Sequence, residues 1–203
     1  MIPWRQRSVV AMSGGGLPTT PLPLQIAGLK LWLDATQIVG LNDGDAVGTW
    51  SDASGAGNNV TQSTAGFKPL YKTNIKNGNP VVRFDGVDDV MSSAFSFGTN
   101  NSLSGDLVCS VFVVYSKSAV ANGNVLGWGT SGVALRAVFC YDDNTATTQW
   151  GFAGGNPYNF TTFAAGSFII REFHKAAGAI NATSTSRKNG TAEDRKSTRL
   201  NSS

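Results

Sequence analysis

Val81-Val82-Arg83-Phe84-Asp85-Gly86-Val87-Asp88-Asp89 is the stretch whose reading decides the fold. It alternates for five residues, with Val82 and Phe84 on one side and Val81, Arg83 and Asp85 on the other. A period of two marks a half-buried strand. Asp85-Gly86 then predicts a tight hairpin-type turn, because glycine accepts the positive φ that such turns need. Two more carboxylates, Asp88 and Asp89, follow the turn.

The composition agrees with strands. Gly is abundant (24), charged residues are few (14%), and there are 11 Phe and 5 Trp against only two Glu, Glu172 and Glu193. Helix-rich chains lean on Glu, Lys, Ala and Leu. Gly-rich turns between Val, Thr and aromatic residues point to an all-β chain. At 203 residues, roughly 70% of the unfolded surface can be buried, so staples are not required. The formal net charge is +3. Asp194–Ser203 holds three basic residues and one acidic; the rest of the chain has 13 basic and 12 acidic, a net of +1. A nearly neutral body argues against nucleic acid as partner. No apolar run approaches the roughly 20 residues of a membrane span, so membrane insertion is not expected. Residues 8–12 are too short for a signal-peptide core.

Residues 1–27 are expected to form a flexible arm or linker. Ser13-Gly14-Gly15-Gly16 is pliant, and Pro18, Pro21 and Pro23 keep the next piece extended. From Gly28, Leu29, Leu31 and Leu33 alternate with Lys30, Trp32 and Asp34, which predicts a strand. Asn42-Asp43-Gly44-Asp45 and Asn77-Gly78-Asn79-Pro80 are turn signals. Ser51 to Asn59 is too rich in Gly and Asn for anything but a compact loop. Leu107 to Tyr115 is apolar on both faces: Val108, Phe112 and Val114 oppose Cys109, Val111 and Val113. That predicts a central strand covered on both sides. Further strands are expected at 125–128, 133–141, 148–152 and 167–173, with a polar one at 182–188 before Asn189-Gly190. Asp142-Asp143-Asn144 is a hairpin turn. Cys109 and Cys140 fit buried thiols; a disulfide between neighbouring strands is the alternative.

Three pieces in this order resemble one family: Gly28 to Ala35, Trp50 to Asn59, and Val81 to Asp89. They are similar to the laminin-G-like, concanavalin A-like jelly-roll domains of bacterial surface proteins and phage virion proteins. The resemblance covers roughly residues 28–192. It implies a β-sandwich of two antiparallel sheets, one of them concave, and ligand binding more often than catalysis, with calcium in some members. It also implies a virion or cell-surface setting, with a glycan or protein as ligand and a homo-oligomer or virion assembly as context. Residues 193–203 depart from it as a non-native tail. The codons GAT CGG AAG AGC ACA CGT CTG AAC TCC AGT, a sequencing adapter, translate to Asp194–Ser203 in order. The expectation is a truncated domain that lacks its closing C-terminal strand or strands.

The chemistry weighs toward binding. A retaining glycanase needs two carboxyl groups about 5 Å apart; glucanases of this fold class carry a Glu-x-Asp-x-x-Glu type strand, which this chain lacks. Asp88-Asp89 and Asp142-Asp143 are adjacent pairs that would face opposite ways on a strand. His174 is the only histidine. Zinc has no second His and no nearby Cys to support it, and any Ser-His-acid arrangement would have to use His174. It is expected to be a surface or hydrogen-bonded residue. Asp52, Asn58, Asn59, Asp85 and Asp88, with Asp89, are hard oxygen donors in loops, the kind calcium takes. The alternative is that Asp52, Ser54 and Asn58 bind their own backbone to hold the loop. For sugar, the expected contacts are Tyr141, Asp142, Asp143, Asn144, Trp150 and Tyr158: aromatic faces beside polar loop groups. Taken singly, each aromatic is more often a core residue. The expected function is a non-catalytic binding module, carbohydrate first. A protein-contacting adhesion domain is the alternative, and a glycan hydrolase stands well behind both.

Overall fold

The computed structural model describes residues 22–94, 109–119, 123–128, 137–142, 147–152, 158–162, 164–175 and 184–192. The arm before residue 22, Asp143, Asn144 and the tail from Glu193 lie outside the described residues. The architecture is all-β: antiparallel strands with short 3-10 turns and, among the described residues, no α-helix. None of the described helical turns is long and apolar enough to cross a membrane. The chain divides into two units, residues 1–94 and 95–203.

The first unit pairs β1 (Thr49–Trp50) with β2 (Val60–Thr61), and β3 (Leu70–Lys76) with β4 (Asn79–Arg83). Asn77 (φ 51°) and Gly78 (φ 79°) close the β3–β4 hairpin between Lys76 and Asn79. Two consecutive positive φ values define the turn that matches strand twist. The pairing is irregular between Lys72 and Lys76, where Asn74 takes φ 54°; asparagine tolerates the left-handed region. Residues 44–47 run beside β3 through Val47 N–H to Pro69 O and Tyr71 N–H to Asp45 O, both 2.8 Å. Val47, Pro69 and Tyr71 are buried there.

Two expectations need correction in this unit. Leu29 to Asp34 is not a strand; among the described residues its only ladder contact is the bridge Leu33–Asp52. Asp34 instead accepts from Thr36 N–H and caps the 3-10 turn Ala35–Gln37, which ends the extended run. The Val81–Asp89 stretch leaves its strand at Arg83, two residues before the five-residue alternation ends. Val82 pairs with buried Tyr71, but Phe84 is 44% exposed rather than beside Val82 in the core. Gly86 does take φ 80°, yet the turn is a carboxylate-held loop and joins no hairpin.

The second unit contains two four-stranded sheets. One runs β12 (Thr191–Ala192), β11 (Ser184–Lys188), β10 (Ile169–Lys175), β5 (Cys109–Tyr115). The other runs β6 (Gly123–Trp128), β7 (Ala137–Asp142), β8 (Thr147–Phe152), β9 (Tyr158–Thr162). β9 was not expected from the sequence. Asn189 (φ 50°) and Gly190 (φ 79°) form the β11–β12 turn as expected. Phe173 of β10 is buried and packs against Val111, Val113 and Tyr115 of β5 and Val125 and Leu126 of β6. The two sheets therefore share a core. Cys109 is a half-buried thiol and forms no disulfide; for Cys140 only the backbone on β7 is described.

β5 differs from the doubly covered central strand expected. Its odd-numbered residues are half-buried, while Ser110, Phe112 and Val114 are exposed. Among the described strands it lies at the sheet edge. A continuous apolar run led to the wrong expectation because strand pattern alone does not say whether a second layer covers the far face.

Candidate functional site

The three outward positions of β5 face those of β10. Register puts Val114 opposite Ile170, Phe112 opposite Glu172, and Ser110 opposite His174. β11 continues the rows, with Arg187 opposite Glu172 and Thr185 opposite His174. Cross-strand neighbours of this kind lie about 5 Å apart at Cβ. The result is one face with an apolar end and a polar end. Phe112 is 58% exposed, Val114 64% and Ile170 44%.

At the polar end, His174 Nδ1 lies 2.9 Å from Ser110 Oγ. His174 Nε2 lies 3.6 Å from Glu172 Oε2, within ion-pair range if the imidazole is charged but too long for a hydrogen bond. The Phe112 ring meets the imidazole edge-on, centroids 5.5 Å apart and planes at 77°. His174 is thus a hydrogen-bonded residue at a surface, as its isolation in the sequence suggested. The cluster as a whole was not anticipated. One signal was present: Glu172 and His174 are two apart on a strand and must share a face. Ser110, sixty-four residues away, joins them only through sheet register.

The proposed oxygen donors fall into separate groups. Asp52 is fully engaged: Oδ1 accepts from Trp32 N–H and Ser54 N–H, and Oδ2 from Ser54 Oγ–H and Asn58 N–H, all at 2.8–2.9 Å. Asn59 Oδ1 accepts from Asp52 N–H at 2.8 Å, and Asn58 Nδ2 donates to Lys30 O at 2.7 Å. Partial desolvation would raise the Asp52 pKa, but the bonds from Trp32, Ser54 and Asn58 together outweigh it and hold the carboxyl below its ordinary value. Asp52, Asn58 and Asn59 thus hold the loop, the alternative to calcium ligation.

Asp85 and Asp88 stand elsewhere, joined by Asp89. Their three carboxylates bring oxygens within 4.8 Å of one another. Asp85 Oδ1 accepts from the N–H groups of Val87, Asp88 and Asp89, and Asp89 Oδ2 accepts from Asp85 N–H. The Val87 N–H bond, most of all, lowers the Asp85 pKa. The remaining oxygens could supply part of the six to eight that calcium takes. Among the described residues, this is the one acidic trio that close.

The expected sugar contacts fall on the β6–β9 sheet, where only the backbone of Tyr141, Asp142, Trp150 and Tyr158 is described. Trp150 pairs with Tyr158, Tyr141 with Gln149, and Asp142 with Thr148. Gln149 and Trp150 are consecutive, so the Tyr141 and Trp150 register positions alternate across the sheet. Trp150 also lies two residues, about 7 Å, along β8 from the Asp142 row. By register Tyr141 therefore falls on the other side of the sheet from Trp150 and Tyr158, while Asp143 and Asn144 lie outside the described residues.

Family models, curated proteins and solved structures yield no match to this chain.

Proposed function

We propose that the chain is a carbohydrate-binding module with a jelly-roll sandwich fold, and that the exposed face of β5, β10 and β11 is its contact surface. The observation that carries this reading is Phe112, an outward aromatic ring set beside the hydroxyl, imidazole and carboxylate of Ser110, His174 and Glu172. A sugar offers a C–H face to an aromatic ring and hydroxyls to polar neighbours, and this face supplies both kinds of partner. The sandwich is supported by the core that Phe173 shares between two four-stranded sheets. The virion or bacterial-surface setting rests on the three ordered motifs in the sequence.

A second reading is a structural or adhesion domain that contacts protein. Val114 and Ile170 favour it, since they extend the exposed apolar area away from the polar cluster. A glycan array probed with and without calcium separates the two. Saccharide-competable binding supports the first; none at millimolar sugar supports the second. Loss of binding on chelation would bring in the Asp85–Asp88–Asp89 loop.

A further inference from the structure

We propose that Ser110, His174 and Glu172 form an ester-cleaving site that removes O-acyl groups from the bound glycan. The substrate class rests on the carbohydrate reading above; the chemistry does not.

A serine hydroxyl is a weak nucleophile until a base sits within hydrogen-bond reach and a third group orients that base. The first relation is present at hydrogen-bond distance, and the second group stands just beyond it. Ser110 Oγ is 2.9 Å from His174 Nδ1, and Glu172 lies on the opposite side of the ring, 3.6 Å from Nε2. A carboxylate there favours the tautomer with its proton on Nε2, which leaves Nδ1 to accept from Ser110. Such contacts are commonly long before substrate binds. Phe112 flanks the ring.

Backbone geometry adds a donor. Ile170 N–H donates to Asn189 Oδ1, and Ile170 O accepts from Asn189 N–H, both 2.9 Å. Its peptide groups therefore point toward β11. By antiparallel alternation, Arg171 and Phe173 bond β5, through Val113 and Val111. The N–H groups of Ser110 and Phe112 then point off the sheet edge, where no described strand lies. The Ser110 N–H belongs to the nucleophile's own residue and can donate to the oxyanion that forms on attack.

The steps balance. Ser110 Oγ bonds to the acyl carbon as its proton passes to His174 Nδ1. The bond from acyl carbon to sugar oxygen breaks, and that oxygen takes the proton. Water then bonds to the acyl carbon of acyl-Ser110 as its proton passes to Nδ1; the bond from acyl carbon to Oγ breaks, Oγ takes the proton back from Nδ1, and the carboxylic acid leaves. Ser110 and His174 are the catalytic residues; Glu172 is a positioning residue.

The test uses the full chain with p-nitrophenyl acetate and with a chemically O-acetylated polysaccharide. Imidazole alone hydrolyses activated esters, so Ser110→Ala is the decisive variant. Ser110 is outward on β5, and unchanged far-UV circular dichroism would show the fold intact. The expected result is a loss of about tenfold or more in turnover for Ser110→Ala and for His174→Ala. In wild type, acid quench should trap one acetyl group on the peptide carrying Ser110. With p-nitrophenyl acetate, which offers no sugar for the carboxylate to contact, Glu172→Gln should lower kcat while leaving KM in place. Turnover equal in wild type and Ser110→Ala, or no acetyl on Ser110, overturns the proposal. Ester cleavage without glycan retention would keep the chemistry and remove the carbohydrate reading. Glycan retention with no acyl-serine would remove the esterase alone.

Discussion

The two units hold themselves together by different means. In the first, strands are short and the chain is tied by side chains to backbone. Asp52 alone joins Trp32, Ser54 and Asn58, and Asp85 gathers the N–H groups of Val87, Asp88 and Asp89. In the second, the seven-residue strands β5 and β10 pair in register, and Phe173 packs against residues of both sheets. A long ladder satisfies its own polar groups, so side chains are left to pack. A loop-rich unit must spend carboxylates on that task.

The sharpest break of this contrast is Phe173→Ala. It should cost about 3–5 kcal/mol, read as a lower midpoint in denaturant melts, with the loss in the second unit. Asp52→Ala comes next. It leaves three backbone N–H groups without their acceptor and should cost about 2–3 kcal/mol, with hydrogen exchange rising at Trp32, Ser54 and Asn58. A loss matching that of Phe173→Ala and spread over both units would erase the distinction.

Acid separates the units further. The Asp52 and Asp85 pKa values are lowered in the folded state. Their contribution is therefore full above the ordinary carboxylate pKa of about 3.9, and it is lost as pH falls through the depressed native values. Exchange protection around residues 52–58 and 85–89 should decline in that window before protection in β5 and β10 does. The smallest stability effect is expected for Phe112→Ser. Its ring is exposed and outside the Phe173 core, so the melting temperature should hardly move while glycan binding is lost.

Sequence pattern reveals more of this molecule where a residue type compels a local conformation. Asn77-Gly78 and Asn189-Gly190 were legible as turns because few other pairs accept two positive φ values. Strands at β5, β7, β8, β10 and β11 showed through β-branched and aromatic runs. Leu29 to Asp34 misled because its alternation was real while its polar groups went to Asp52 and to a 3-10 turn. Phe84 misled because alternation continues past the last ladder bond. Among site residues, the Asp52 loop was legible as self-bonding, since Asx and Ser turns are local. Glu172 fell on an expected strand, but that strand was expected to stop at Phe173, one residue short of His174. Ser110 and Phe112 could not be joined to them, because inter-strand register depends on the whole sheet.

Retention on a glycan array, wild type beside Phe112→Ser at matched folding, tests the central claim most directly. The account predicts saccharide-competable binding by wild type that Phe112→Ser abolishes. Equal binding by both proteins, or none by wild type, would contradict it.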